Sequence, residues 1–517
     1  MRILHFVHGF PPEYTGGTEA YVARLAAAER ERGHEVAIVA GSGHSRPEGV
    51  IEESAHDGLA VHRLHRPEPV PEAWFRSYSP DAEGLVGDLV RRLRPDVAHV
   101  HHWKRLTRNL VSIALRHRVP SIVTLHDLFA TCPKDFRLRD GDVCDEPLPN
   151  RFCAGCVPRA GLPHATGREI DAELSLFGDA LRREIALAAR VLVPSAAHGD
   201  RVARLLGVDG HLLEVLPLGA IRDMKPARRG TRRAGPLRVV FFGHMDPVKG
   251  THLVVEAVAL LAKEVPLEAH LFGKPVTEEY GRLLREKAAG LPVTFHGAYR
   301  PEDLAAFEFD AAVIPSTAAE SYSFVLDEAF ALGLPAIVSD RGALPERAGA
   351  AGLVFRAGDA ADLAGRLREI ASDEPLRSRL AAAVPAEPSP KMGEHADRVL
   401  SICESIGSVV FPGRAADPEE YLRLLRQRVA VAEERRVDLI EVEARAEWLE
   451  KSKWSLESHA ASLRADVAAH AKEREALLAE IGRLREEIER RNRAAAEAGN
   501  GRSSLGRRLA RVFFPRA

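Results

Sequence analysis

Two acidic residues and a lysine in the second half of the chain have types and positions suited to ligand binding. Glu320 precedes a helical stretch and Glu328 lies inside it, while Lys249 stands beside Gly250 after an apolar segment. Carboxylates accept charge-assisted hydrogen bonds from sugar and ribose hydroxyls, and a lysine at the end of a strand can neutralise a diphosphate. The alternative for Lys249 is an ordinary surface lysine.

Two further features predict contacts with an anion. Ser321 or Ser323 is expected to cap the helix that contains Glu328, and the N-terminus of a capped helix favours phosphate. The Gly16-Gly17 pair follows the first apolar segment and lets the backbone approach a ligand closely. Taken alone the glycine pair is a weak signal, because it is most often only a turn, and the dinucleotide fingerprint is absent.

A cluster of cysteines predicts a metal site apart from these motifs. The cluster lies within 25 residues, ends in Cys-Ala-Gly-Cys and consists of Cys132, Cys144, Cys153 and Cys156. Four thiolates can hold a tetrahedral zinc ion, so we expect a structural zinc that staples a loop. Because the spacing is irregular, free buried thiols or a labile disulfide remain equal alternatives.

Short apolar segments alternate with amphipathic helical segments in two successive blocks, which predicts an α/β fold of two doubly wound, Rossmann-like domains facing a cleft. The predicted strands of the first block are Ile3–Val7, Val36–Ala40, Val97–Val100, Ile122–Leu125 and Val191–Val193. Those of the second block are Leu237–Phe242, Glu268–Phe272, Val293–His296, Ala312–Pro315 and Ala336–Ser339. A basic stretch with glycine and proline, 222–236, reads as the linker between the blocks.

These patterns divide the chain into five segments. We expect an N-terminal domain at 1–220, a second domain at 221–390 and a terminal helix at 391–412 that packs back on the first domain. Heptads with charged flanks over 415–495 predict a coiled coil, with a single solvated helix as the alternative. The tail, 498–517, is basic and amphipathic, which suits either an anionic membrane surface or a frayed end.

The composition excludes other classes of protein. A formal net charge of −2 supplies no positive field for nucleic acid, and 45% hydrophobic residues in 517 support two or three well-filled domains. The first residues read as a strand rather than a signal peptide, and no stretch is apolar enough to span a bilayer. Five cysteines fit a reducing compartment, so we expect a cytoplasmic protein, with possible peripheral contact at the inner face of the plasma membrane.

In order along the chain, seven motifs resemble those of the retaining GT-B glycosyltransferases of family 4, over roughly residues 1–410. The motifs are Gly16-Gly17-Thr18-Glu19, Pro95–His101, Thr124-Leu125-His126-Asp127, Val193-Pro194-Ser195, Leu216-Pro217-Leu218-Gly219, Lys249-Gly250 and the pair Glu320 and Glu328. The resemblance implies transfer of a sugar from a nucleotide-sugar such as a UDP- or GDP-sugar to a glycan or lipid-linked acceptor, in cell-surface polysaccharide biosynthesis. It also implies retention by same-face attack and no catalytic metal.

The resemblance assigns roles by position. Glu320 would contact the transferred sugar, Glu328 the ribose, and His126 would line the catalytic centre beside the sugar. The positions implied to hold or cover the diphosphate are Gly16, Gly17, His244, Lys249, Ser321, Ser323 and Phe324.

Two departures from the family pattern concern the phosphate contacts. His244 replaces an arginine that is common in the family, which weakens the expected grip on the phosphates. Ser321 and Ser323 replace glycines common before the helix, which leaves the backbone contacts possible but tighter.

Two other functions remain open from the sequence. One is an epimerase or phosphorylase of the same fold, and the other is a catalytically weak scaffold or sugar-binding subunit that acts through its coiled coil. The histidines near strand ends, His99, His101 and His102, have a possible ligand role, but a structural role is favoured for two of the three. The same interpretation applies to His5 and His8.

Overall fold

The protein is described by a computed structural model that covers residues 1–46, 49–66, 80–158, 166–222, 224, 235–407 and 460–497. Residues Met1–Arg435 form one compact unit, and residues Arg436–Ala517 form another. The first unit contains two lobes, each built around its own parallel sheet, and these lobes carry every predicted site residue.

The N-terminal lobe has an eight-stranded sheet and six helices. Its strands are β1 Arg2–Val7, β2 Glu35–Gly41, β3 Val50–His56, β4 Leu59–His65, β5 Val97–Val100, β6 Ser121–Thr124, a small separate hairpin of β7 Leu138–Arg139 and β8 Asp142–Val143, then β9 Arg190–Val193 and β10 Leu213–Val215. Its helices are α1 Gly17–Glu31, α2 Pro80–Leu93, α3 Leu110–Arg116, α4 Cys153–Cys156, α5 Gly167–Leu187 and α6 Ala196–Leu206.

The C-terminal lobe has a six-stranded sheet. Its strands are β11 Leu237–Phe242, β12 Leu267–Phe272, β13 Val293–Gly297, β14 Ala311–Ile314, β15 Ala336–Ser339 and β16 Gly352–Phe355. Its helices are α7 Thr251–Leu261, α8 Glu278–Lys287, α9 Pro301–Ala305, α10 Phe324–Ala331, α11 Leu344–Ala348, α12 Ala360–Ser372 and α13 Glu374–Ala383. The helix α14, Met392–Gly407, follows.

Both sheets reverse their strand order beside their first strand. The order is β10-β9-β6-β5-β1-β2-β4-β3 in the N-terminal lobe and β13-β12-β11-β14-β15-β16 in the C-terminal lobe. Neighbouring strands are parallel except for the edge pair β3 and β4, which is antiparallel. In such sheets ligands bind outside the carboxyl ends of the strands, at the point where the order reverses. That point lies between β1 and β5 in one lobe and between β11 and β14 in the other.

The ten predicted strands are confirmed, with ends shifted by one residue at most. The hairpin β3–β4 was missed because β3 lies at the sheet edge and exposes most of its side chains, which hides the apolar signal. The core of each lobe is apolar, and buried aliphatic and aromatic side chains fill the space between sheet and helices. These cores hold the strand ends, and therefore the loops of the site, at fixed positions.

Helix α14 returns to the N-terminal lobe and packs on α1. Arg32, the residue after α1, pairs with Asp397, and its guanidinium also donates to the carbonyl of Gly393 at 2.7 Å. Deeper in the interface, the hydroxyl of Tyr21 lies 2.7 Å from Nε2 of His395. This packing joins the end of the second predicted domain to the lobe that begins the chain.

The second unit is described by one helix, α15 Ala460–Glu497. Its large apolar residues are exposed: Leu477, Leu478, Ile481, Leu484 and Ile488. The first part of the predicted coiled coil, most of the predicted linker and the basic tail 498–517 lie outside the described residues. Among the described helices, none combines the length and the apolar character that a bilayer span requires.

Candidate active site

The lysine and the first glutamate of the predicted site meet at the reversal point of the C-terminal sheet. Lys249 ends a 3-10 turn after β11, and Glu320 lies in the loop after β14, which is the neighbouring strand. Nζ of Lys249 lies 2.7 Å from Oε1 of Glu320. Burial opposes ionisation of Glu320, but the Lys249 ammonium and the Ser316 hydroxyl outweigh it and lower the pKa of this carboxyl. The pair is therefore a cation and an anion held side by side.

Gly250 is required where this turn passes the neighbouring loop. Its φ is +69°, and a Cβ built there would lie 1.9 Å from the carbonyl oxygen of Pro315. No side chain fits so close to backbone, and the left-handed conformation also favours glycine. The Lys-Gly motif thus combines a charged group with the residue that lets two loops touch.

The loop after Glu320 leads into the helix α10. Ser323 caps it at a φ of +79°, which is strained for any residue other than glycine, and its Oγ accepts the amide of Leu326 at 3.4 Å. Arg347 holds the loop by donating to the carbonyls of Tyr322 and Ser323 and by pairing with Asp327. The structure therefore selects Ser323, not Ser321, as the cap of the predicted anion-binding helix.

Glu328 lies one turn into α10, beside a residue that the sequence analysis placed in the linker. Each of its carboxylate oxygens lies 3.3 Å from a nitrogen of the Arg222 guanidinium, which also lies 3.3 Å from the hydroxyl of Tyr299. Burial outweighs the attraction of Arg222 and raises the pKa of Glu328 to about 7. This carboxyl group is consequently half-ionised near neutral pH.

On the N-terminal lobe, two histidine–carboxylate pairs line the carboxyl ends of β1, β5 and β6. Nε2 of His8 lies 3.1 Å from Glu19, and Nε2 of His102 lies 3.3 Å from Asp127. The two imidazole rings are 4.3 Å apart between centroids. Burial and the neighbouring His102 lower the pKa of His8. Both acids belong to motifs of the sequence, but their histidine partners could not be predicted from it.

The two glycines at the start of α1 occupy crowded positions. A Cβ on Gly16 would lie 2.6 Å from Oε2 of Glu19, and a Cβ on Gly17 would lie 3.3 Å from the ring of Phe324. Gly17 belongs to one lobe and Phe324 to the other, so the starts of α1 and α10 face each other across the cleft. The close neighbours of these glycines are protein side chains, and the approach of a ligand to this loop stays a prediction.

His126 follows β6 and joins the two lobes. Its carbonyl oxygen accepts a hydrogen bond of 2.5 Å from Oγ of Ser321, the residue next to Glu320. Its ring nitrogen Nε2 lies 3.0 Å from Nδ1 of His101. Burial lowers the pKa of His126 to about 3, so the ring is neutral at physiological pH. The structure thus brings His126 and the Glu320 loop together from opposite lobes.

Other contacts clasp the lobes beside this hydrogen bond. Oγ of Ser195 donates to the carbonyl of Ser321 at 2.7 Å. The carboxylate of Glu346 accepts the amides of Ala196 and Ala197, at the N-terminus of α6, at 3.1 and 2.7 Å. These bonds hold the C-terminal loops against the N-terminal strand ends.

Two sets of predicted residues are not brought into contact in this way. His244 is exposed and takes part in none of the hydrogen bonds or ion pairs recorded for the described residues. The four cysteines carry free thiols, and in the described chain no three of their sulfurs come within 4.8 Å of one another. Each sulfur nevertheless accepts an N–H group. Lys134 donates to Cys132 through its amide and to Cys156 through its ammonium group. The Arg137 guanidinium donates to Cys144, and the Asn150 amide donates to Cys153.

A third histidine set was not anticipated as a unit. His5, His99 and His101 are buried together, and their ring nitrogens approach within 4.8 Å of one another. Their position at a strand end was visible in the sequence, but the partners of these rings come from four separate elements. The structural role expected for two of the three strand-end histidines holds for His99, which lies 2.8 Å from Oγ1 of Thr124.

Comparison with protein families gives two adjacent matches. Residues 15–221 match the family described as Glycosyltransferase Family 4, and residues 236–373 match the family described as Glycosyl transferases group 1. The first match covers the glycine loop and the histidines His99, His101, His102 and His126. The second covers Lys249, Glu320 and Glu328.

Similar proteins of known name include a D-inositol 3-phosphate glycosyltransferase of Nocardia farcinica, which is 28% identical over 400 residues, or 71% of this chain and 79% of that protein. A glycogen synthase of Mycobacterium tuberculosis is 24% identical over 404 residues, or 74% of this chain and 89% of that protein.

Two solved structures share the fold of the lobes. Anabaena HepE in complex with UDP is 17% identical with a TM-score of 0.53, and it covers 78% of this chain and 100% of its own. The sucrose-phosphate synthase of Thermosynechococcus elongatus is 18% identical with a TM-score of 0.54, and it covers 78% of this chain and 99% of its own.

Proposed function

Since this chain is a glycosyltransferase with the GT-B fold of the group 1 and family 4 enzymes, we propose that it transfers a sugar from a nucleoside diphosphate donor, with retention of configuration. The observation that carries the proposal is the ion pair of Lys249 and Glu320 at the strand-order reversal, next to the start of α10. A cation, a helix N-terminus and an acid at one place match a diphosphate and a sugar.

The two charged partners take different parts of the donor. Lys249, whose side chain is 37% exposed, is free to turn from Glu320 to a diphosphate, while Glu320 is only 12% exposed and stays in place. Its carboxylate then accepts hydrogen bonds from hydroxyls of the transferred sugar. Donor binding therefore exchanges one ion pair for a phosphate contact and a sugar contact.

Glu328 is proposed to hold the ribose. Its carboxyl group is buried on α10, and Arg222 and Tyr299 keep it oriented. A carboxylate accepts from both ribose hydroxyls, which favours a nucleotide donor over a sugar phosphate. The uridine diphosphate bound by HepE supports this class of donor, with UDP- and GDP-sugars as the first candidates.

The chemical step follows from these positions. The bond between the anomeric carbon and the phosphate oxygen breaks, and negative charge gathers on the departing diphosphate. Lys249 and the amides at the start of α10 stabilise that charge where a divalent ion would otherwise act, so we propose transfer without a catalytic metal. The acceptor hydroxyl attacks from the face that the diphosphate leaves, and its proton passes to the departing phosphate oxygen.

The test is to incubate purified protein with UDP-, GDP- and ADP-sugars and to measure release of the nucleoside diphosphate, with and without a chelator. We expect one nucleotide to raise the melting temperature, because a ligand that binds the native state stabilises it. Release that depends on Glu320 and persists in the chelator supports the proposal. Full release by a Glu320→Ala enzyme would contradict it, and an inverted product by proton NMR would contradict retention.

We also propose that the cysteine cluster binds a structural zinc ion. Each of the four sulfurs accepts an N–H group, as metal-bound thiolates do. Burial raises the pKa of the Cys132 thiol to about 11 and also raises that of Cys153, so a bound cation would have to displace these protons and draw the sulfurs together to a tetrahedron. The insertion reaches the site, because Phe136 lies 5.8 Å from Nζ of Lys249. Elemental analysis should find about one zinc per chain that is lost in a Cys153→Ser, Cys156→Ser protein. Absence of zinc from the unaltered protein would end this proposal.

The apolar stripe of α15 is proposed to pair with a second copy of the chain. Leu477, Ile481, Leu484 and Ile488 follow steps of four, three and four, are exposed, and form the seam of a coiled coil. Ultracentrifugation should show a dimer that a Leu484→Lys, Ile488→Lys protein loses. A monomeric unaltered protein would favour the solvated helix.

The polysaccharide or lipid-linked acceptor and the membrane contact of the tail remain predictions from the sequence.

A further inference from the structure

A series of hydrogen bonds connects His126 with the buried carboxylate of Glu29 in α1. Nε2 of His126 lies 3.0 Å from Nδ1 of His101, and Nε2 of His101 lies 3.0 Å from Nδ1 of His5. Nε2 of His5 then lies 2.7 Å from Oε2 of Glu29. We call these four residues the histidine relay. It crosses the adjacent strand ends of β6, β5 and β1 and terminates in α1.

The relay is sealed from water except at one end. His5, Glu29 and His101 are at most 1% exposed, whereas His126 is 8% exposed. Nδ1 of His126 has no hydrogen-bond partner among the described residues, and it is not fully enclosed by them. This nitrogen therefore reaches the solvent of the cleft, next to the Ser321 loop. Oε1 of Glu29 has no hydrogen-bond partner among the described residues, and within them His5 alone donates to that carboxylate.

The order of the atoms determines where each proton lies. Burial lowers the pKa of His101 and His126 well below the ordinary value, so each ring carries one proton at neutral pH. A carboxylate accepts from Nε2–H of His5, and an imidazole that carries a single proton there keeps a lone pair on Nδ1. His101 then donates from Nε2 to His5, and His126 donates from Nε2 to His101.

We propose that Glu29, acting through His5 and His101, fixes the proton of His126 on Nε2 and leaves its Nδ1 as a hydrogen-bond acceptor in the cleft. Glu29, His5 and His101 are positioning residues, since none of them reaches the cleft. On the proposed function, on which this last step rests, Nδ1 accepts a hydrogen bond from a hydroxyl of the transferred sugar. One additional proton on His5 would reverse every bond of the relay and turn Nδ1 into a donor.

The proton positions can be measured directly in the full-length protein. Nitrogen-15 NMR of histidine-labelled enzyme distinguishes the two neutral forms of imidazole, and a His126→Gln variant assigns the His126 signals. We expect a proton on Nε2 and a bare Nδ1 in the unaltered protein at pH 7. A proton on Nδ1 of His126 would overturn the proposal, whatever the enzyme transfers. So would a metal ion bound by His5 and His101, because it needs both lone pairs and breaks their hydrogen bond.

A variant tests the role of the carboxylate. In Glu29→Gln the amide can donate as well as accept, so the His126 signals should shift to a mixture of forms, and kcat should fall at least tenfold, about the worth of one hydrogen bond. The matched control is Thr107→Val, which removes a buried hydrogen bond to Glu83 elsewhere in the N-terminal lobe and leaves the relay intact. Its kcat should change less than twofold. Unchanged His126 signals in Glu29→Gln would refute the relay, whether or not that protein is active.

If the tautomer is as expected but the unaltered chain transfers no sugar, the proposed function fails and the relay stands. If transfer is normal and the tautomer is reversed, only the relay fails. The two proposals are therefore separable by the same set of proteins.

Discussion

The two lobes present different chemistry to the same cleft. On the C-terminal side carboxyl groups lie beside cations: Lys249 pairs with Glu320, and Arg222 contacts Glu328, whose pKa is raised to about 7. On the N-terminal side His126 is neutral, because burial suppresses its protonation, and it is oriented by hydrogen bonds.

The difference matches what each side must do. In the proposed mechanism charge develops on the departing diphosphate, so fixed charges are most effective on the lobe proposed to hold it. A sugar hydroxyl carries no charge, so a correctly oriented neutral acceptor is sufficient on the other lobe. The comparison predicts that the charges of the C-terminal lobe make the larger contribution to the rate and set the pH profile, whereas the N-terminal lobe affects the rate through orientation.

Removing the cation should have the largest effect. In Lys249→Met we expect kcat to fall roughly 100- to 1,000-fold, the usual loss when one preorganised charge-stabilising group is removed. The control is Lys287→Met, because Lys287 also pairs with a glutamate of the same lobe at 2.8 Å but away from the cleft. The measurement is kcat at a saturating donor concentration for both proteins. Equal, small losses in both proteins would mean that the C-terminal charges do not stabilise the leaving group.

The donor affinity should depend on pH through Glu328. The pKa of this group is raised to about 7 by burial, so its ionised fraction falls as the pH drops below that value. A neutral carboxyl accepts weaker hydrogen bonds from ribose, so KM for the donor should rise about tenfold per pH unit below pH 6. Glu328→Gln should have a raised KM with little pH dependence. A pH-independent KM in the unaltered enzyme would contradict this.

The same pKa makes a prediction about stability, with a definite sign. The folded state holds the Glu328 proton to about pH 7, whereas an unfolded chain releases it near 4.5. Folded protein therefore binds more protons in this window, and the stability contributed by this group falls as pH rises from 4.5 through 7. Glu328→Gln should be more stable than the unaltered protein by about 1–3 kcal/mol at pH 8 and equal to it at pH 4. Denaturant unfolding at both pH values measures the difference.

We call the hydrogen bonds from Ala196 and Ala197 to Glu346 the clasp between the lobes, and breaking it should have the smallest effect. Glu346→Ala removes the acceptor of two amides at the start of α6, which costs about 1 kcal/mol and a few degrees in melting temperature. KM for the donor should change by no more than about threefold, because water replaces the carboxylate. Glu278→Ala, at the start of α8 within one lobe, serves as the control and should leave KM unchanged. A large loss of kcat in Glu346→Ala would show that the clasp is part of the catalytic arrangement.

The charged side of the cleft could be anticipated from the sequence because its parts are local. Lys249 and Gly250 are neighbours, and Glu320, Ser323 and Glu328 lie within nine residues, so strand–loop–helix patterns suffice to place them. Arg222 was missed because its basic, glycine- and proline-bearing surroundings indicate a linker. Its partner is 106 residues away, and no local pattern links the two.

The histidine side could not be anticipated in the same way. The relay joins residues 5, 29, 101 and 126, whose pairings span 24 to 96 positions. The sequence places these histidines near strand ends, but it does not state which strands are neighbours. Only the order β6-β5-β1 brings the rings into line.

The amino-acid sequence by itself determined the alternation of strands and helices, the loops that carry Lys249, Glu320 and Glu328, and the glycines where loops crowd, because periodicity and turn chemistry act over a few residues. The tertiary structure decided the strand order, the contact of Ser321 with His126, the raised pKa of Glu328 and the alignment of the relay. Burial and long-range pairing set these properties, and both arise only when distant segments pack together.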